Sequence, residues 1–130
     1  MVGALFDTSI LIDHLNGVPE ARDEIARFEG RAISIITWMD VMVGAPAHVA
    51  EPTRRFLDGF TVMALDDAIA SRAVALRQAH RIKLPDAVIW ATAQVSGRLL
   101  VTRNTQDFPP DDPGIREPYV LPHPGASRNN

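Results

Sequence analysis

Five oxygen-bearing side chains stand where an α/β chain builds sites. Asp7 closes the first apolar run, Ala4-Leu5-Phe6. Asp40 falls one turn into the helix expected after the second strand. Asp86 opens an apolar helix, and Asn104 and Asp107 follow the fourth strand directly. In an open parallel sheet, sites form in the crevice beyond the carboxyl ends of the strands. Carboxylates converging there would repel one another, and such a cluster is tolerable only where protons or cations neutralise it. An all-oxygen set suits a hard ion such as Mg²⁺ or Mn²⁺. The chain has no cysteine, which excludes a disulfide scaffold, a thiolate nucleophile and Cys-ligated metal. His14, His48, His80 and His123 are isolated and lack zinc-ligand spacing.

Each acid also has a plainer role. Asp7 could cap the first helix, Thr37 and Asp40 fit a capping box with Asp in place of Glu, and Asp86 suits the macrodipole of a helix start. Asp107 lies in a polar loop where Asp is common, and Asp66 and Asp67 are read as capping only. The joint placement at several strand ends, and no single residue, points to a site.

The elements that must position these residues follow from apolar patterning. Strands are expected at Ala4–Phe6, Ala32–Ile36, Thr61–Leu65 and Leu99–Thr102. Helices are expected at Thr8–Leu15, Pro19–Glu29, Thr37–Val43, Ala47–Asp58, Asp67–Arg81 and Asp86–Ser96, with Gly17, Gly30, Gly44 and Gly97 as stops. Six of the ten prolines follow Phe108, so the tail from about residue 109 is expected to be extended, with one short edge strand at Tyr119–Leu121. Alternating strands and helices predict an α/β fold: a three-layer α/β/α sandwich around a mostly parallel sheet of four to five strands.

The 130 residues are one domain's worth of chain, and we expect a single domain over 1–130. A hydrophobic share of 46% with 22% charged residues argues against disorder. No apolar run approaches the roughly 20 residues a membrane span needs, and no secretory leader precedes the first strand, so no membrane partner and a cytoplasmic location are expected. The net charge of −3 shows no global basic excess.

Taken together, four segments resemble the PIN domain family, and within it the VapC-type toxins of bacterial toxin–antitoxin pairs. Phe6-Asp7-Thr8-Ser9-Ile10-Leu11-Ile12 resembles the first motif. Ser34-Ile35-Ile36-Thr37-Trp38-Met39-Asp40, with Gly44, resembles the second, which normally carries Glu. Leu84-Pro85-Asp86 and the apolar run to Ala93 resemble the third, and Leu100-Val101-Thr102-Arg103-Asn104-Thr105-Gln106-Asp107-Phe108 the fourth. The match runs from the first strand to about Tyr119.

The resemblance implies an Mg²⁺- or Mn²⁺-dependent endoribonuclease that is PIN-like in fold. It maps Asp7, Asp40 and Asp86 onto the acidic metal cluster, and the fourth acidic position onto Asn104 or Asp107. Ser9 and Thr102 match supporting hydroxyl positions. Asp40 is one methylene shorter than the expected Glu, so it either approaches closer or binds through water. A metal ion would acidify water from a pKa of about 15.7 to as low as about 7, so no side chain need be the nucleophile. Arg81, Lys83, Arg98 and Arg103 flank the last two motifs and could meet RNA phosphates on the rim, or be solvated surface charges. Trp38 and Trp90 lie among apolar helix positions and are read as core. The implied partners are an RNA substrate, a second copy forming a homodimer, and a cognate antitoxin. Ala21–Phe28 and Ala47–Leu57 are candidate antitoxin surfaces or ordinary half-buried helices. Two other readings compete: a catalytically degenerate PIN scaffold that binds RNA or protein without cleavage, and a metal-dependent phosphatase acting on small molecules.

Overall fold

The computed structural model describes residues 2–121. Its central strand, β1 (Ala4–Phe6), is buried at every position, as a parallel strand covered on both faces must be. It pairs with β2 (Arg31–Ser34) on one side and β4 (Leu99–Val101) on the other. The edges are β3 (Thr61–Met63) and β5 (Ile115–Arg116), giving the order β3-β2-β1-β4-β5 with every pair parallel.

Side chains alternate across this sheet and so divide the core in two. Leu5, Ala32 and Leu100 meet Ile69, Ala73, Leu76 and Trp90 from α5 (Asp67–His80) and α6 (Leu84–Ser96). Ala4, Phe6, Ile33 and Val101 point the other way. They meet Ile10, Leu11, Ile25, Val41 and Leu57 from α1 (Thr8–Leu15), α2 (Pro19–Ala26), α3 (Ile35–Gly44) and α4 (Ala50–Leu57). This is the three-layer sandwich that the alternation predicts. Phe6 also meets Phe28 and Phe60 edge-on, each at 5.9 Å between ring centroids. Such pairs add about 0.5–1.5 kcal/mol beyond the area they bury.

Four differences from the expected elements have local causes. α3 begins at Ile35 because the Ser34 hydroxyl accepts the Ile36 N–H at 3.0 Å, so Thr37 is not the cap and the capping box with Asp40 does not exist. The stretch from Ala47 divides into a 3₁₀ turn, Ala47–Val49, and α4, with Pro52 tolerated in the first turn of α4. α6 starts at Leu84, placing Asp86 inside its first turn. The edge strand is Ile115–Arg116, not Tyr119–Leu121. Pro118 removes a ladder donor just before the expected segment, and buried Ile115 pairs opposite Leu100 instead.

β1 leads to β2 on one side, while β4 lies on its other side. The chain therefore reverses its lateral direction at the carboxyl end of β1, where an open parallel sheet leaves its crevice.

Candidate active site

Asp7 sits at that switch point, 4% exposed. It occupies the N-cap position of α1 yet makes no side-chain cap, so capping does not explain it. Its Oδ2 accepts the hydroxyls of Thr102, at 2.7 Å, and Ser9, at 3.1 Å. Thr102 also accepts the Asn104 N–H at 2.9 Å, and Ser9 the Arg103 N–H at 3.3 Å. The end of β4 and the start of α1 thus hold one carboxylate between them. Burial raises its pKa above the usual range and Asp40 adds repulsion, while the hydroxyls act in the opposite sense.

Asp40 reaches toward the same crevice from α3. It is exposed, and Thr8 Oγ1 lies 3.3 Å from its Oδ2 and 3.1 Å from Thr37 Oγ1. Asp86 approaches from α6. Its pKa is pushed up to about 6 by burial, then by a hydrogen bond with Asp107 and by repulsion from Asp7 and Asp107, with Lys83 opposing.

Asn104 and Asp107 are bound to each other. Asn104 Nδ2 donates to Asp107 Oδ2 at 2.9 Å, and Asn104 Oδ1 accepts the Asp107 N–H at 3.3 Å. The Asn104 amide therefore orients the Asp107 carboxylate. Asp7, Asp40, Asp86 and Asp107 enter no ion pair among the described residues. Among those residues no group of three or more histidine, aspartate or glutamate side chains stands close enough to hold a metal ion. What the four carboxylates share with the ligands of a hard divalent ion is donor chemistry, oxygen throughout.

The four basic residues separate. Arg81 and Lys83 are exposed in the turn before α6, beside Asp86. Arg98 lies beside Gly3, Gly30 and Gly97, at the amino ends of the strands, and so is removed from the crevice. Arg103 donates twice to Asp13, at 2.6 and 2.9 Å, which commits its guanidinium to an internal pair. Trp90 and Phe108 are buried against each other as core, and Trp38 is half-buried with Arg54 over its ring. In the predicted antitoxin surfaces, Ala21, Ile25 and Leu57 are core residues.

Two contributors were not singled out from the sequence. Thr8, whose hydroxyl donates to Asp40, lies inside the first motif between Asp7 and Ser9, and its residue type alone does not set it apart from a helix-start threonine. Asp13 is 5% exposed on α1, where it takes Arg103 and the Tyr119 hydroxyl, the latter at 2.8 Å. Its signal is an acid three residues after buried Ile10, on the apolar stripe.

The fold and these motifs define a known class. The PIN domain model matches residues 4–109, and the chain belongs to the PIN domain family. It is 35% identical over 126 residues to Ribonuclease VapC10 of Mycobacterium tuberculosis, covering 91% of this chain and 94% of that protein. A toxin–antitoxin complex from Klebsiella pneumoniae superposes with a TM-score of 0.87 at 48% identity, over 92% of this chain and 100% of that one. DNA-bound VapBC from Salmonella typhimurium gives 0.72 at 25% identity, over 89% and 96%.

Proposed function

We propose that this chain is the ribonuclease toxin of a toxin–antitoxin pair, an endoribonuclease that hydrolyses RNA phosphodiester bonds with Mg²⁺ or Mn²⁺. The observation that carries the reading is buried Asp7, held by Thr102 and Ser9 near Asp86 and Asp40, with no ion pair among the described residues to neutralise these acids. The similarity to a protein named as a ribonuclease and to toxin–antitoxin complexes supports it.

Asp7 and Asp86 would be the principal metal ligands, with Asp107 and the shorter Asp40 as catalytic carboxylates that ligate directly or through water. When bound, the ion would supply an acidified water and charge stabilisation of the leaving oxygen. The residues themselves do the positioning. Thr102 and Ser9 fix the rotamer of Asp7, Asn104 aims Asp107, and Thr8 restrains Asp40. Arg81 and Lys83 would meet backbone phosphates, a sequence-independent contribution. Asp107 supplies a carboxylate where Asn104 alone would not, which weighs against a scaffold that binds without cutting.

The partners of this reading are a cognate antitoxin and a second copy of the chain, in the cytoplasm. What supports the antitoxin on the surface is an apolar groove of about 460 Å³ between α1, α3 and α4, lined by Ile12, Leu15, Val41 and Val49. Incubation of purified protein with total cellular RNA tests the function. Discrete cuts in Mg²⁺ that vanish with EDTA are expected; cleavage of small phosphate esters but not RNA would overturn it.

A further inference from the structure

Beside Asp7 the crevice opens into a cavity of about 770 Å³ that the four acids do not line. Ser9, whose hydroxyl reaches Asp7, is the wall the two share. The opposite wall is built by Thr105 and Gln106, after β4, and by Glu117, Val120 and Leu121, after β5. Ligand-holding clefts run to roughly 300–1,000 Å³, so the space suits a nucleotide-sized group.

The wall chemistry is not that of a phosphate site. The cation on it, Arg103, is paired with Asp13, which leaves Glu117 as the uncommitted charge among the described residues of the wall. A second phosphate would be repelled there, whereas an uncharged ring carrying N–H donors would be accepted. Val120, 77% exposed, and Leu121 offer aliphatic surface to the face of such a ring. Thr105, Gln106 and Glu117 bring hydroxyl, amide and carboxylate to its edge, and none of the three side chains is spent on a hydrogen bond among the described residues. Single-stranded RNA is read in this manner, through splayed bases packed on their faces and hydrogen-bonded along their edges.

We propose that this cavity is the subsite for the base next to the scissile phosphate, and that Glu117 with Gln106 selects guanine there. Guanine alone of the four bases presents two adjacent donors on its pairing edge, N1–H and N2–H, which one carboxylate accepts together, and its O6 accepts from the Gln106 amide. Uracil places a carbonyl on each side of its single N–H. Adenine and cytosine each set a ring acceptor beside their amino group. The inference rests on the RNA-cleaving reading.

The test is cleavage of short single-stranded RNAs randomised on both sides of the cut, sequenced after reaction with parent and Glu117→Gln. The parent should favour guanine at one fixed neighbouring position by roughly 5- to 150-fold, the discrimination a bidentate base contact supplies. Glu117→Gln should bring that ratio close to one, and Gln106→Ala should lower it by a smaller factor. Cleavage by the parent without guanine preference beside the cut, or an unchanged profile in Glu117→Gln, would overturn this subsite alone. A parent that cuts none of the RNAs in Mg²⁺ would overturn the ribonuclease reading and the subsite with it.

Discussion

Replacing Asp86 with Asn should make the ion-free protein more stable at neutral pH and unable to cut RNA. Burial, the hydrogen bond with Asp107 and the repulsion of Asp7 move Asp86 from the ordinary 3.8 to about 6. In full, a displacement of that size corresponds to about 3 kcal/mol. Asp86 is only part-buried, so solvent screening reduces it to roughly 1–2 kcal/mol. The sign follows from proton linkage. The folded state holds the proton more tightly than the unfolded chain, so this stabilisation is complete below the ordinary carboxylate range and is lost as pH rises through about 6. Asn cannot ionise and keeps its contribution at every pH. The assay is thermal unfolding of parent and Asp86→Asn in EDTA across the acid-to-neutral range. The two should melt together near pH 4 and separate above pH 6, the variant higher by about 3–8 °C. Added Mg²⁺ should raise the parent's midpoint more than the variant's, since an ion that binds only the folded state stabilises it by mass action. A variant less stable than the parent at neutral pH in EDTA, or a gap independent of pH, would refute the reasoning.

Three further outcomes are expected. Thr102→Val removes the 2.7 Å donor on Asp7 with little change of shape, and should lower kcat/KM on an RNA oligonucleotide about 10- to 100-fold, as loss of an outer partner does at metal sites. Arg103→Ala leaves buried Asp13 with the Tyr119 hydroxyl as its one side-chain donor among the described residues. It should cost toward the lower end of about 3–5 kcal/mol in urea unfolding, because Arg103 is itself partly exposed. Arg81→Gly relieves a left-handed residue at φ 56° and should stabilise by up to about 1 kcal/mol. It should also weaken RNA binding and reduce the salt slope by about 1, measured by fluorescence anisotropy on an uncleaved RNA.

The fold was legible wherever local chemistry and tertiary burial agree. Asp66 and the stripe Ile69, Ala73 and Leu76 announce α5, and the Asp66 side chain does accept the Ile69 N–H at 2.8 Å. Ile35 and Ile36 misled because β-branched residues favour strands, whereas one capping hydroxyl at Ser34 starts the helix earlier. β5 was not legible, because two residues pair only with a strand already in place. At the site, the strand end at Asp7 and the helix start at Asp86 were legible as such, and Asp40 as a position one turn into the helix after β2. The bonds that tie Asn104 to Asp107 are a loop geometry that spacing alone does not give. Arg98 precedes β4 and so lies at the opposite end of the sheet from residues that follow a strand, a distinction that charge alone does not carry. Arg103 and Asp13 are 90 positions apart, and no periodicity links them.

Manganese titration of the parent and Asp7→Asn, with RNA cleavage followed on the same samples, tests the proposed site most directly. The parent should bind Mn²⁺ and cut, and Asp7→Asn, still folded, should do neither. Cleavage that persists in EDTA, or in Asp7→Asn at the parent's rate, would contradict a divalent ion held at the carboxyl end of β1.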